Sequence, residues 1–101
     1  MNVSYKAELW VNKVSVEMNA FAEDFLAHTV VGMVSSLQHV DKIKHLEMHG
    51  KKDEVRLHID GNEIPLTLFP TNIIRNTLAA LVSSLKDVDK TIDSWDIRVE
   101  A

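Results

Sequence analysis

A chain of 101 residues with a formal net charge of -4 has the length of one domain, 1–101, and lacks the basic excess of a protein that tracks nucleic-acid phosphates. With 46% hydrophobic and 26% charged residues it reads as a globular protein in water, and the absence of cysteine excludes disulfides and thiolate metal sites. Residues 1–4 do not open a basic-then-apolar leader, and the apolar run over 29–34 is far short of a membrane span. The expectation is therefore a cytoplasmic protein with no membrane or nucleic-acid partner.

In chain order, Ala7, Leu9 and Val11 come first, at the period of a half-buried strand, with Trp10 on the opposite, polar face. Asn12-Lys13 is a weak turn signal that would fold the chain back, with Val14, Val16 and Met18 facing those residues. One bulged strand over 5–18 is the alternative, because the apolar parity switches near Asn12. A helical stripe follows in Phe25, Leu26, Thr29, Val30, Met33, Val34 and Leu37, with Asn19 a candidate cap and His39 near the C-terminal end. The next strand turns Leu46 and Met48 inward and His45, Glu47 and His49 outward.

The polar loop from Gly50 to Asp53 predicts an antiparallel hairpin with Val55, Leu57 and Ile59. Pairing His49 with Glu54 would set Glu47 opposite Arg56 and His45 opposite His58. Asp60-Gly61 is the dipeptide of a type I′ turn, and Ile64, Leu66 and Leu68 alternate on a return strand that Pro65 marks as an edge. A second helix is expected from Pro70 to about Lys86, with Thr71 a candidate cap and Ile73, Ile74, Thr77, Leu78, Leu81, Val82 and Leu85 as its stripe. Trp95, Ile97 and Val99 then point inward from a last strand that returns beside the first, with Trp95 near Leu9.

The chain says much of this twice. A shift of 48 positions takes Leu9 to Leu57, Phe21 to Phe69 and Thr29 to Thr77, and Val34-Ser35-Ser36-Leu37 to Val82-Ser83-Ser84-Leu85. It also takes Val40-Asp41-Lys42 to Val88-Asp89-Lys90, making ten identities in the 35 ungapped positions from 8 to 42. Average composition would give roughly two. The fold expected is α+β, two tandem ββαβ repeats (about 5–50 and 53–100) sharing one core, with two helices on one face of an antiparallel sheet and a pseudo-two-fold axis. The expected core is Leu9, Val16, Phe21, Phe25, Met33, Leu37, Leu57, Ile64, Ile73, Leu81, Leu85 and Ile97. Thr29, Gly32 and Ser36, with Thr77, Ala80 and Ser84, form small-residue flanks suited to a close helix contact.

Chemistry-bearing patterns are sparse. His45, His49 and His58 share the polar sheet face at a spacing that could serve a transition metal, but no closed ligand set accompanies them and no metal or other cofactor is expected. His28 follows Asp24 by four positions, the spacing of a surface hydrogen bond on a helix. Val-Ser-Ser-Leu lies inside a helix and lacks the glycines of a nucleophile elbow. An outward Trp10 is a candidate anchor for a protein partner. The expectation is a non-enzymatic interaction module, self-associating as a homodimer or higher homo-oligomer through the Trp10 face or the free edge at 14–18, or docking an unknown protein partner. The alternatives are a small-molecule or metal binder using the His45/His58 face, and an enzyme whose site forms between subunits.

Overall fold

Two tight reversals set the path of the chain in the computed structural model, which describes residues 5–38, 42–51, 54–85 and 91–101. Asn12 and Lys13 have φ of 51° and 67°, and Asp60 and Gly61 have φ of 49° and 85°. Positive φ at both central residues is the mark of the turn that matches strand twist in a hairpin. The first turn therefore joins β1 (Lys6–Val11) to β2 (Val14–Ser15) as a hairpin, not as one bulged strand. The second joins β4 (Glu54–Ile59) to β5 (Asn62–Ile64), with Leu57 opposite Ile64 as its alternation requires. β5 stops before Pro65, and Leu68 opens a helix instead of extending the strand.

Each reversal also clasps a neighbouring strand. Asn12 Oδ1 accepts hydrogen bonds from the Asp93 and Ser94 amides at 2.7 and 3.1 Å, and Asn12 Nδ2 donates to the Thr91 carbonyl at 2.8 Å. Asp60 Oδ1 accepts from the Lys44 and His45 amides at 3.2 and 2.9 Å. Asn and Asp tolerate positive φ and supply the acceptor, so one residue type meets both needs. Asn12→Ala is expected to cost about 2 kcal/mol in chemical denaturation. Asn12→Asp, which keeps the acceptor, should cost less than half of that.

The remaining elements are α1 (Ala20–Gln38), β3 (His45–Lys51), α2 (Leu68–Ser83) and β6 (Ser94–Glu100). All six strands form one antiparallel sheet in the order β2-β1-β6-β3-β4-β5, which makes the fold α+β and puts the strand before Pro65 at an edge. β6 lies beside β1, with Trp95 opposite Val11 and Ile97 opposite Leu9. Among the described residues no helix is long and apolar enough to cross a membrane.

One register differs from expectation. β3 runs on to Lys51, which pairs with Glu54, so His49 faces Arg56 and Glu47 faces His58. His45 is not the cross-strand neighbour of His58. The apolar residues keep their face in either register, because both place Met48 and Leu57 on the same side. Alternation alone does not decide a shift of two residues.

The core lies between the helices and one sheet face. Leu9, Val11, Leu46, Met48, Leu57, Ile59, Trp95, Ile97 and Val99 from the strands are buried with Leu26, Ala27, Val30 and Val34 of α1 and Ile74, Leu78 and Val82 of α2. Of the expected core, Leu9, Leu57 and Ile97 are buried; Val16, Met33, Leu37, Ile64, Leu81 and Leu85 are partly buried against it. Phe21, Phe25 and Ile73 are not core: they are exposed. Consecutive helical residues are roughly 100° apart, so a face centred on Leu26, Val30 and Val34 turns Phe25 out of the interior. Both stripes were wide enough to allow either rotation.

The small-residue flanks follow the same rotation. Gly32, Ser36, Ala80 and Ser84 are exposed, and a Cβ on Gly32 would meet no atom within 4 Å. Ala80 and Ser84 line a groove between the end of α2 and the start of α1, while Thr29 and Thr77 are half-buried. Asn19 caps α1, its Oδ1 accepting from the Ala22 amide at 2.8 Å. In α2 the N-cap is Thr67 without a side-chain cap bond, while Thr71 lies inside the helix and its hydroxyl donates to the Thr67 carbonyl at 2.8 Å. Pro70 sits in the first turn, where its missing N–H has no helical partner to lose. The expected positions of His39, Lys86 and the segment 88–90 lie outside the described residues.

Candidate functional site

Two surfaces carry features that a solvated exterior does not require. The first is the sheet face away from the helices, where register lays the polar side chains in rows. Trp10, Asp96, His49 and Arg56 form one row across β1, β6, β3 and β4, and Glu8, Arg98, Glu47 and His58 form the next. Lys6, Glu100 and His45 form a third.

These groups pair with one another. Arg98 Nη2 donates to Glu47 Oε1 at 3.3 Å, and its guanidinium carbon lies 5.8 Å from the Trp10 ring centroid, within cation–π range. His49 Nδ1 lies 2.6 Å from Asp96 Oδ1, and Lys13 Nζ lies 3.5 Å from Asp96 Oδ2. His45 stands 3.2 Å from Glu100 and 3.7 Å from Glu47. The His49 and His58 rings meet edge to face with centroids 6.2 Å apart, while His58 Nδ1 is buried without a hydrogen-bond partner. The structure thus brings His49 and His58 together and leaves His45 among carboxylates. His28, away from this face, bonds within its helix, its Nδ1 3.2 Å from Asp24 Oδ1 and in edge contact with Tyr5 at 5.4 Å.

A carboxylate on one imidazole nitrogen fixes the ring and leaves the other nitrogen for proton transfer. The depression beside His49 holds about 280 Å³ between Trp10, Lys13, Glu47, Asp96 and Arg98. That is at the low end for a small-molecule site, and charged side chains supply most of its lining residues where such sites are mostly lined by apolar ones. Among the described residues no three His, Asp or Glu side chains are grouped to hold a metal ion. Trp10 is half-buried on this face, held under Arg98, so less of its indole is open to a partner than the sequence suggests.

The second surface is the outer side of the helices. Phe21 is 76% exposed, Phe25 53%, Leu68 75%, Phe69 66% and Ile73 37%. The Phe21 and Phe25 rings lie tilted against each other with centroids 6.0 Å apart. Beside them a groove of about 520 Å³ runs between the start of α1 and the end of α2, lined by Phe21, Phe25, Ala80, Leu81, Ser84 and Leu85. Scattered apolar side chains are normal on a surface, whereas adjoining aromatic side chains beside an apolar groove, as at Phe21 and Phe25, mark a candidate interaction site; Leu68, Phe69 and Ile73 lie at the other end of α2.

No protein-family model, curated protein or solved structure matches this chain.

Reading for buried stripes missed the helical surface because it assigned Phe21, Phe25 and Ile73 to the core. A signal was present in the charges. α1 carries only Glu23 and Asp24, and α2 only Arg75, over 19 and 16 residues. Helices that face water on one side ordinarily place charges there.

Proposed function

We propose that this chain is a non-enzymatic protein-interaction module that docks through the outer face of its two helices. The observation that supports this best is the exposure of Phe21, Phe25, Leu68, Phe69 and Ile73 on helices with few charges. Burying one such side chain recovers about 1.5–3 kcal/mol, so a cover over several of them holds without any polar anchor. The polar sheet face is the weaker candidate, because its charged groups are already paired with one another.

The same reading takes the halves of the chain as copies of one ββαβ unit. Two features favour it. Exchanging β1, β2 and β3 for β4, β5 and β6 leaves the strand order unchanged when read from the other edge. The clasps of Asn12 and Asp60 are equivalent under the 48-residue shift, apart from the one-residue slip before the last strand. The docking face is then a duplicated surface, with Phe69 answering Phe21 and Ile73 answering Phe25.

Oxidative footprinting tests the docking reading whatever the partner. Phe21, Phe25 and Phe69 are expected to be labelled in the dilute purified chain and protected at its working concentration in concentrated cell extract, with Trp10 labelled alike in both. Equal labelling of the three phenylalanines in the two samples would overturn it.

A further inference from the structure

We infer that the end of the polar sheet face beside His49 is a binding site for a phosphate group, carried by a small molecule or free in solution. The site lies on the face away from the helices and does not depend on the docking reading. It draws on the repeat reading for one comparison.

A second depression shares Lys13, His49 and Asp96 with the one described above and holds about 320 Å³. It also takes in Lys51, Arg56, Glu54 and Ser94. Strand register brings them together. Arg56 lies directly opposite His49, and Lys51 stands between Ser94 and Glu54 in the next row.

Pairing leaves the cations here in excess. Both oxygens of Asp96 are engaged, Oδ1 by His49 Nδ1 at 2.6 Å and Oδ2 by Lys13 Nζ at 3.5 Å. Arg56 and Lys51 are exposed, and among the described residues neither side chain makes an ion pair or a hydrogen bond. Glu54 is the one carboxylate among the described lining residues that is not already engaged. The guanidinium of Arg56 offers a planar fork of donors, the two ammonium groups offer point charges, and the Ser94 hydroxyl is a neutral donor beside them. A phosphate group has enough oxygens to take the fork and still meet an ammonium, whereas a carboxylate spends both of its oxygens on the fork. A chain with net charge -4 that gathers unpaired cations in one depression draws anions there against its overall sign.

Under the repeat reading, the opposite end of the same face is the comparison. The His49–Asp96 pair corresponds to Arg98–Glu47, and the contact of His49 with His58 corresponds to that of Arg98 with Trp10. Around these matching pairs the charge is reversed. Arg56 corresponds to Glu8, and Lys51 to Glu100. The same strand positions pair with the same neighbours whichever sign they carry, so the fold does not dictate cations beside His49.

The test titrates the purified full chain with inorganic phosphate at fixed pH and follows its backbone amides by proton–nitrogen correlation NMR. Sodium chloride at matched ionic strength is the blank. The amides of His49, Gly50, Lys51, Arg56 and Ser94 are expected to shift saturably, with a Kd of about 1 mM or tighter, while those of Glu8 and Glu100 stay in place. Arg56→Glu and Lys51→Glu should each weaken binding roughly tenfold or more, with circular dichroism unchanged. Acetate should bind roughly tenfold more weakly than phosphate. Phenyl phosphate separates the two sources. If it binds as well as inorganic phosphate or better, the group belongs to a small molecule; if it binds more weakly, the free ion is the ligand. A native chain without saturation by about 10 mM phosphate would overturn the site. So would shifts that chloride reproduces, shifts shared equally by the two ends of the face, or binding that survives both charge reversals. Acetate binding as tightly as phosphate would overturn the phosphate assignment. Each of these outcomes leaves phenylalanine protection, and with it the docking reading, unchanged.

Discussion

Gly50→Ala is expected to destabilise the fold by about 3 kcal/mol, the upper part of the range for overpacking. Gly50 is buried in β3 and pairs directly with Trp95 of β6 at the centre of the sheet. The Trp95 indole lies across the space where a side chain would stand: a Cβ on Gly50 would overlap ring atoms Cε2, Cζ2 and Nε1. Trp95 is 7% exposed and belongs to the core, so the ring has little room to swing away. Glycine in a strand interior often marks such a close approach, and an aromatic side chain over a cross-strand glycine covers the backbone that glycine leaves open. The check is a double-mutant cycle in chemical denaturation with Trp95→Leu, which removes the ring. The two substitutions should be strongly non-additive, with Gly50→Ala costing under about 1 kcal/mol once the indole is gone. A cost that stays near 3 kcal/mol in the Trp95→Leu background would show that the backbone at Gly50, not the ring, is what resists a Cβ.

Strand parity was legible in the four inner strands, because a period of two admits only two answers and Leu9, Leu46, Leu57 and Ile97 select one of them; on the edges it was not, since Val14 is exposed and Leu68 opens a helix. The hairpin at Asp60-Gly61 was legible for the same reason, reinforced by turn chemistry. Two other features were not. The β3–β4 register turns on whether β3 ends at His49 or runs on to Lys51, and both place apolar residues inward. The helix rotation is ambiguous because α1 and α2 bear apolar residues around more than half their circumference. A second apolar face on a helix reads as a wider core until the exposed Phe21 and Phe69 separate the two. The histidine face was legible in membership but not in contacts, since a two-residue register shift replaces a His45–His58 pair with a His49–His58 diagonal.

The rotation of the helices yields the other large effect. Leu78→Ala is expected to cost about 2–5 kcal/mol, with Leu26→Ala in the same range, because both side chains are fully buried and their removal leaves cavities beneath a helix. Leu81→Ala is expected to cost about 1–1.5 kcal/mol in the monomer, since Leu81 lies on the boundary between the core and the outer groove and part of its surface is already in water. Phe25→Ala should fall within about 0.5 kcal/mol of the native chain despite the larger side chain, because a 53% exposed ring gives up little on truncation. Protein concentration matters, since any species that binds only the folded state adds to apparent stability. The four variants therefore belong at one low protein concentration. There the ranking Leu78 and Leu26 above Leu81 above Phe25 reports the rotation of the helices alone. If Phe25→Ala costs as much as Leu78→Ala under those conditions, the aromatic face is packed within the monomer and the buried stripe lies one residue further round each helix.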